Sequence, residues 1–169
     1  MKKITVVGTG YVGLVTGTCF AETGNDVLCV DIDEAKVAMM KAGEVPIYEP
    51  NLDTYFERNI SAGRLKFTTS LEEGVAHGDI IFLALPTPPG EDGSADLSYI
   101  LNVAGQLGGM IEEYKVIVDK STVPVGTAEK VHHAVAKNAK VDFAIVSNPE
   151  FLREGFAVSD FMKPDRVVV

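Results

Sequence analysis

Short, unbroken apolar runs recur along this chain between longer segments of helical period, and that alternation constrains the fold more than any other feature. Residues 4–7, 27–30, 65–67, 80–85, 116–118, 143–146 and 167–169 read as strands. Apart from Thr5 in the first and Lys66 in the weaker third, they are apolar at consecutive rather than alternate positions, as strands covered on both faces of a parallel sheet must be. Between them, Leu97, Ile100, Leu101, Ala104 and Leu107 follow Asp96 at helical spacing, with Asp96 placed to cap. Leu52, Tyr55, Phe56 and Ile60 form a second stripe, and Ala128, Val131 and Val135 a third. Residues 14–22 are small and apolar nearly all round, as a helix wedged against a sheet would be. Strand, helix and strand repeated in this way predict an α/β fold, a doubly wound, mostly parallel sheet with helices on both faces.

The 169 residues show no internal repeat, low-complexity tract or linker, so one domain is expected. Net charge is −9, with no basic run, which argues against a nucleic-acid partner. No apolar run approaches membrane-spanning length, and a soluble cytoplasmic protein is expected. Cys19 and Cys29 lie inside apolar segments with no histidine or second thiol beside them, and read as reduced core residues. His132 and His133 are adjacent on a helix, so their side chains diverge by about 100° and cannot clasp one metal. His77 stands alone, and the pairs Glu72–Glu73 and Glu112–Glu113 read as solvated faces. The terminal run 167–169 reads as the opening of a buried strand, and hence as part of a longer protein.

Chemistry concentrates first in Gly8, Thr9, Gly10, Tyr11, Val12 and Gly13, a G-x-G-x-x-G that follows the first strand and opens a helix. Gly8 permits the tight turn, Gly10 lets backbone approach a pyrophosphate, and Gly13 lets helix and strand pack closely. The helix N-terminus then offers free N–H groups and a positive dipole end to the phosphates. Asp31 closes the second strand 18 residues beyond Gly13. A carboxylate there accepts hydrogen bonds from ribose hydroxyls and repels a 2′-phosphate, favouring NAD over NADP. The alternative is that Asp31 only caps the following helix. Lys36 stands one turn further on.

Three stiffened loops follow later strands: Pro86, Thr87, Pro88, Pro89 and Gly90; Ser121, Thr122, Val123 and Pro124; Ser147, Asn148, Pro149 and Glu150. All are expected at the carboxyl edge of the sheet, where such folds bind ligands. Hydroxyls and a carboxylate held there by proline-fixed backbone suit contact with nicotinamide, substrate or a reacting water.

These segments, together with Ala84-Leu85, Val125-Gly126-Thr127 and Phe151-Leu152-Arg153-Glu154-Gly155, occur in an order that resembles the amino-terminal domain of the UDP-glucose/GDP-mannose dehydrogenase family over essentially the whole chain. The Pro-Val-Gly-Thr and Arg-Glu-Gly endings are more similar to its UDP-glucose branch. The resemblance implies NAD-dependent, two-step, four-electron oxidation of a nucleotide sugar at C6, UDP-glucose to UDP-glucuronate, through a cysteine thiohemiacetal and thioester. It implies NAD contacts from Gly8, Gly10, Tyr11, Val12, Gly13, Asp31, Lys36, Thr87, Ser121, Thr122 and Glu154. Glu150 would assist water attack on the thioester and Thr122 would position the water. Glu150, Phe151, Leu152, Arg153 and Glu154 would border the UDP-sugar. Lys120 and Arg153 are the basic groups available for phosphates. The family's nucleophilic cysteine belongs to a later part of the chain, as do the connecting helix about which such enzymes form homodimers and the sugar-binding domain. Residues 1–169 alone are therefore expected to bind NAD without turnover. Oxidation of GDP-mannose or UDP-N-acetylmannosamine, or a non-catalytic NAD-binding module, are the alternatives.

Overall fold

Six strands, β1 (Lys3–Val7), β2 (Asp26–Val30), β3 (Leu65–Thr68), β4 (Ile80–Leu83), β5 (Lys115–Asp119) and β6 (Phe143–Ser147), pair in parallel in the order β3-β2-β1-β4-β5-β6. The structure is a computed structural model and describes residues 1–90 and 93–169. The helices are α1 (Tyr11–Glu22), α2 (Glu34–Lys41), α3 (Leu52–Ser61), α4 (Leu71–His77), α5 (Ser98–Met110), α6 (Thr127–Ala136) and α7 (Ala157–Met162). The strand order reverses between β1 and β4, which leaves a crevice at their carboxyl ends, the switch point of a doubly wound sheet.

The unbroken apolar strands serve two cores, one on each face of the sheet. Ile4, Val6, Cys29, Phe82 and Val118 point to one side, under Leu14 and Ala21 of α1, Met40 of α2 and Phe56 of α3. Val7, Ile81, Leu83 and Ile117 point to the other, under Ile100, Ala104 and Leu107 of α5 and Val131 and Val135 of α6. Each large side chain fully buried here contributes roughly 1.5–3 kcal/mol. The expected doubly wound α/β fold is the one observed, and every described strand pairing is parallel.

Three local expectations are corrected. Residues 167–169 form no strand; all three valines are exposed, and the Val168 carbonyl accepts a hydrogen bond from Asn148 Nδ2 at 2.7 Å. Strand propensity at three valines yields to the absence of a ladder partner beyond β6. The fourth strand ends at Leu83, not residue 85, because the chain turns away at Ala84 and the Leu85 amide donates to Ser121 Oγ. Asp96 lies just outside α5, its carboxylate accepting from the Ser98 amide at 2.9 Å in an Asx turn. The acidic pairs are exposed, as expected, with Glu73 accepting from Thr68 Oγ1 and Glu113 reaching the buried Lys115 at 2.9 Å. The six-residue α7 is too short to show a period in sequence.

Candidate functional site

The turn after β1 is shaped by two close backbone approaches. Gly8 adopts φ +96°, and a Cβ there would lie 2.4 Å from the Ala84 carbonyl oxygen at the end of β4. A Cβ on Gly13 would lie 1.9 Å from the Gly8 carbonyl oxygen. Gly10 differs, since a Cβ added to it meets nothing within 4 Å. Its bareness leaves space beside the start of α1 instead of relieving a contact within the protein.

The N-terminus of α1 has neither a side-chain cap nor an acidic residue in its first turn. By contrast, α2 is capped by Asp33 and carries Glu34, while α4 is capped by Ser70 and carries Glu72 and Glu73. A helix start is normally satisfied by such groups. One left without them, next to open space at a switch point, suits an anionic ligand, and a dinucleotide's diphosphate fits it.

Asp31 stands immediately beyond β2, its side chain largely buried. Oδ2 accepts from the Thr9 amide at 3.0 Å, from the Thr9 hydroxyl and from Lys36 Nζ at 3.1 Å, while Oδ1 accepts from the Asp33 amide at 3.1 Å. Burial by itself would raise the carboxyl pKa, but the Thr9, Asp33 and Lys36 hydrogen bonds outweigh it and hold the group below the usual carboxylate range. The carboxylate is thus fixed in its ionised form beside the Gly-rich turn. Capping of α2 falls to Asp33, which accepts from the Lys36 amide at 3.0 Å. Capping alone therefore does not account for Asp31. Thr9, the variable position between the first two glycines, was not singled out in sequence.

The three proline-stiffened loops do emerge at the carboxyl ends of β4, β5 and β6. Thr87 Oγ1 donates to the Thr122 carbonyl at 3.1 Å, joining the first two. Ser121 Oγ donates to the Leu85 carbonyl at 2.9 Å and accepts from the Leu85 amide at 3.2 Å. Its buried hydroxyl is committed to holding the loops together. Lys120 Nζ donates to Asn148 Oδ1 at 3.1 Å, joining the second loop to the third. Burial lowers the Lys120 pKa, and the nearby Glu150 carboxylate partly offsets this.

Thr122 is exposed, Thr87 and Glu150 are half-buried, and Glu150 Oε2 accepts from the Leu152 amide at 2.5 Å. No hydrogen bond joins Glu150 to Thr122 among the described residues. Glu150, Phe151, Leu152 and Arg153 line a cleft of about 680 Å³ with Lys120 and Arg166. Arg153 is held by Asp160 at 2.7 Å, and the Arg166 guanidinium lies 4.9 Å from the Phe151 ring centroid. Glu154 is exposed, as is Phe151, and Val12 is half-buried in the first turn of α1.

Asp119 ends β5 at 1% exposure, its Oδ1 accepting from the Ser121 amide at 3.1 Å and its Oδ2 without a partner among the described residues. Burial pushes its pKa up to about 6, the Ser121 bond opposing only in part. The folded protein therefore holds this proton more tightly than the unfolded chain does. Its contribution is most favourable below about pH 4 and is lost as pH rises through about 6. Asp119→Asn keeps the acceptor for Ser121 and removes the ionisation. Relative to the parent, the variant should gain stability on the order of 2 kcal/mol between pH 4 and 7 in denaturation midpoints. A parallel pH dependence in the two proteins would contradict this account.

Both cysteines are free and buried, and burial pushes each thiol up to about 12. Neither is poised as a nucleophile. The His132 and His133 rings sit 6.0 Å apart at 86°, and His133 Nδ1 lies 2.7 Å from the Glu129 carbonyl. Glu49 is a further site residue that local sequence does not reveal, its buried carboxylate meeting Tyr11 Oη and the amides of Gly155 and Ala157. A glutamate between Tyr48 and Pro50 carries no signal of such partners.

The whole site can be compared with known proteins. Residues 2–169 match the UDP-glucose/GDP-mannose dehydrogenase family, NAD binding domain. A UDP-glucose 6-dehydrogenase of Pseudomonas aeruginosa is 51% identical over 172 residues, covering 99% of this chain and 38% of that protein. The structure of a UDP-glucose dehydrogenase from Pyrobaculum islandicum superposes with a TM-score of 0.95 at 46% identity, covering 99% of this chain and 40% of that one. That of a GDP-mannose dehydrogenase from Pseudomonas aeruginosa gives 0.89 at 34% identity, covering 98% and 40%. The chain thus spans about two fifths of the length of these relatives. With an uncapped α1, an ionised Asp31 beside it and a match from residue 2 to residue 169, this chain belongs to the UDP-glucose/GDP-mannose dehydrogenase family, of which it forms the NAD-binding domain.

Proposed function

We propose that these residues are the NAD-binding part of an enzyme that oxidises UDP-glucose to UDP-glucuronate. The observation that carries the reading is the cleft beside the dinucleotide edge, with Glu150 on one wall and basic Lys120 and Arg166 within an otherwise acidic protein. Cations there suit a sugar diphosphate, and a half-buried carboxylate suits a base acting on water. The greater identity to a UDP-glucose dehydrogenase than to a GDP-mannose dehydrogenase supports the sugar assignment.

When bound, NAD would supply the hydride acceptor for each of two oxidation steps. The residues of this chain bind and orient it. Gly10 admits the diphosphate to the N-terminus of α1, and Asp31 accepts from the adenosine ribose, with Oδ1 the less occupied oxygen. Thr87 and Thr122, tied to each other, border the nicotinamide side. In the final step Glu150 takes a proton from water as the water oxygen bonds to the thioester carbon and the carbon–sulfur bond breaks, releasing a thiol and a carboxylate. Cys19 and Cys29 are too buried and too weakly acidic to supply that sulfur. It has to come from outside residues 1–169. A homodimer in the cytoplasm completes the reading, the compartment supported by two buried, unpaired thiols.

The test is NADH yield per UDP-glucose at 340 nm with the full-length protein. Two NADH per sugar is the expected result. NAD binding without NADH from UDP-glucose, but with NADH from GDP-mannose or UDP-N-acetylmannosamine, would reassign the substrate. No NADH from any of the three would leave a non-catalytic NAD-binding module.

A further inference from the structure

Glu49 lies between Tyr48 and Pro50, in the connection from α2 to α3, far in sequence from every group it touches. It is only 3% exposed. Oε2 accepts from the Tyr11 hydroxyl and from the Gly155 amide at 2.8 Å, and Oε1 accepts from the Ala157 amide at 2.8 Å. No lysine or arginine pairs with it among the described residues. A buried carboxylate costs stability unless its oxygens are satisfied, and here three donors from two remote segments satisfy it.

Those two segments are the ones the site is built from. Tyr11 is the first residue of α1, directly after Gly10 of the Gly-rich turn. Gly155 and Ala157 close the irregular loop that carries Glu150, Phe151 and Glu154. That loop is held at its front by Asn148, whose amide donates to the Asp119 carbonyl at 2.9 Å and whose side chain meets Lys120. At its far end the bonds beyond its own neighbourhood run to Glu49. Glu49 is itself fixed: Pro50 follows it, Asn51 takes φ 67°, and its carbonyl accepts from the Leu52 amide at 3.1 Å as α3 begins. Burial, then the bond to Glu49, pushes the Tyr11 phenol up to about 12, so its hydroxyl remains a donor at all working pH values.

We propose that Glu49 is a positioning residue that couples the dinucleotide turn, through Tyr11, to the loop bearing Glu150, so that NAD binding rigidifies that loop. The inference rests on the NAD reading above. It requires no contact between Glu49 and either ligand.

The test is amide hydrogen exchange on the full-length protein, with and without saturating NAD, for the parent, Tyr11→Phe and Glu49→Gln. In the parent, NAD should slow exchange at Gly155 and Ala157 roughly 10-fold, within the usual range of coupling between sites. Tyr11→Phe keeps the ring and its packing, and at saturating NAD the slowing should fall below about 2-fold. Glu49→Gln should speed both amides roughly 10-fold without NAD, while β1 and β4 amides keep their protection. Equal slowing in the parent and Tyr11→Phe, or no slowing in a parent that binds NAD, would overturn the coupling and leave the NAD reading intact. A uniform loss of protection across the sheet in Glu49→Gln would reduce Glu49 to a general stabilising contact. A parent that does not bind NAD would overturn both readings.

Discussion

Gly13→Val should unfold or severely destabilise this domain, whereas Gly10→Val should leave it folded and abolish its affinity for NAD. The two glycines stand three residues apart in one motif and do different work. A Cβ on Gly13 would sit 1.9 Å from the Gly8 carbonyl oxygen and 3.2 Å from the Ala84 Cβ. The first obstacle is backbone, fixed from its other side by the Gly8 amide's 2.8 Å bond to the Val30 carbonyl. Relief would require α1 to move off β1, against buried Leu14, Val15 and Cys19. A cost of about 3 kcal/mol or more is expected, the upper end for overpacking.

Gly10 has φ −64°, a value open to any residue, and a Cβ there finds nothing within 4 Å. Gly10→Val should therefore change stability by no more than about 0.5 kcal/mol. It would fill the space that the diphosphate needs beside the uncapped amides of α1, lowering NAD affinity on the order of 100-fold or more. Denaturation midpoints and NAD titrations on the two variants check both halves. Near-native stability for Gly13→Val would contradict the packing argument, and tight NAD binding by Gly10→Val would move the diphosphate elsewhere.

Glu150→Gln, in the full-length protein, should lower steady-state turnover by about 10²–10⁴-fold, the usual contribution of a positioned base. NAD affinity should stay near that of the parent, because Glu150 lies along the cleft and not at the Gly-rich turn. The carboxamide can still accept from the Leu152 amide, so the loop keeps its internal bond. The informative readout is the first turnover. In the proposed reaction both oxidations precede hydrolysis, so the variant should release a burst near two NADH per site and then stall. Loss of the burst would place Glu150 before the thioester, and turnover like the parent's would remove it from the reaction.

The apolar runs of β1, β2, β4, β5 and β6 identified their own strands, because a sheet covered on both faces leaves few polar positions to obscure the pattern. The run 167–169 has the same composition and forms no strand. What it lacks, among the described residues, is a strand to pair with, which no local pattern encodes. The G-x-G-x-x-G turn and Asp31 were equally legible, since each is fixed by short-range geometry between one strand and the next helix. Ser121 illustrates the limit. Its two hydrogen bonds to Leu85 across the neighbouring loop have no signature in the local sequence.

By itself the sequence determined the doubly wound sheet, the loops that crowd its carboxyl edge and the glycines that let α1 begin there. Those properties follow from periodicity and from what a missing Cβ permits, both readable within a few residues. Only the tertiary structure decided which polar groups face one another. Thr9 joined to Asp31, Lys120 to Asn148, the half-satisfied Asp119 and Glu49 between Tyr11 and Gly155 all depend on segments 22 to 106 residues apart meeting, or on burial that the sheet imposes. Hydrogen bonding is directional and short in range, so such partners exist only once packing has brought the segments together.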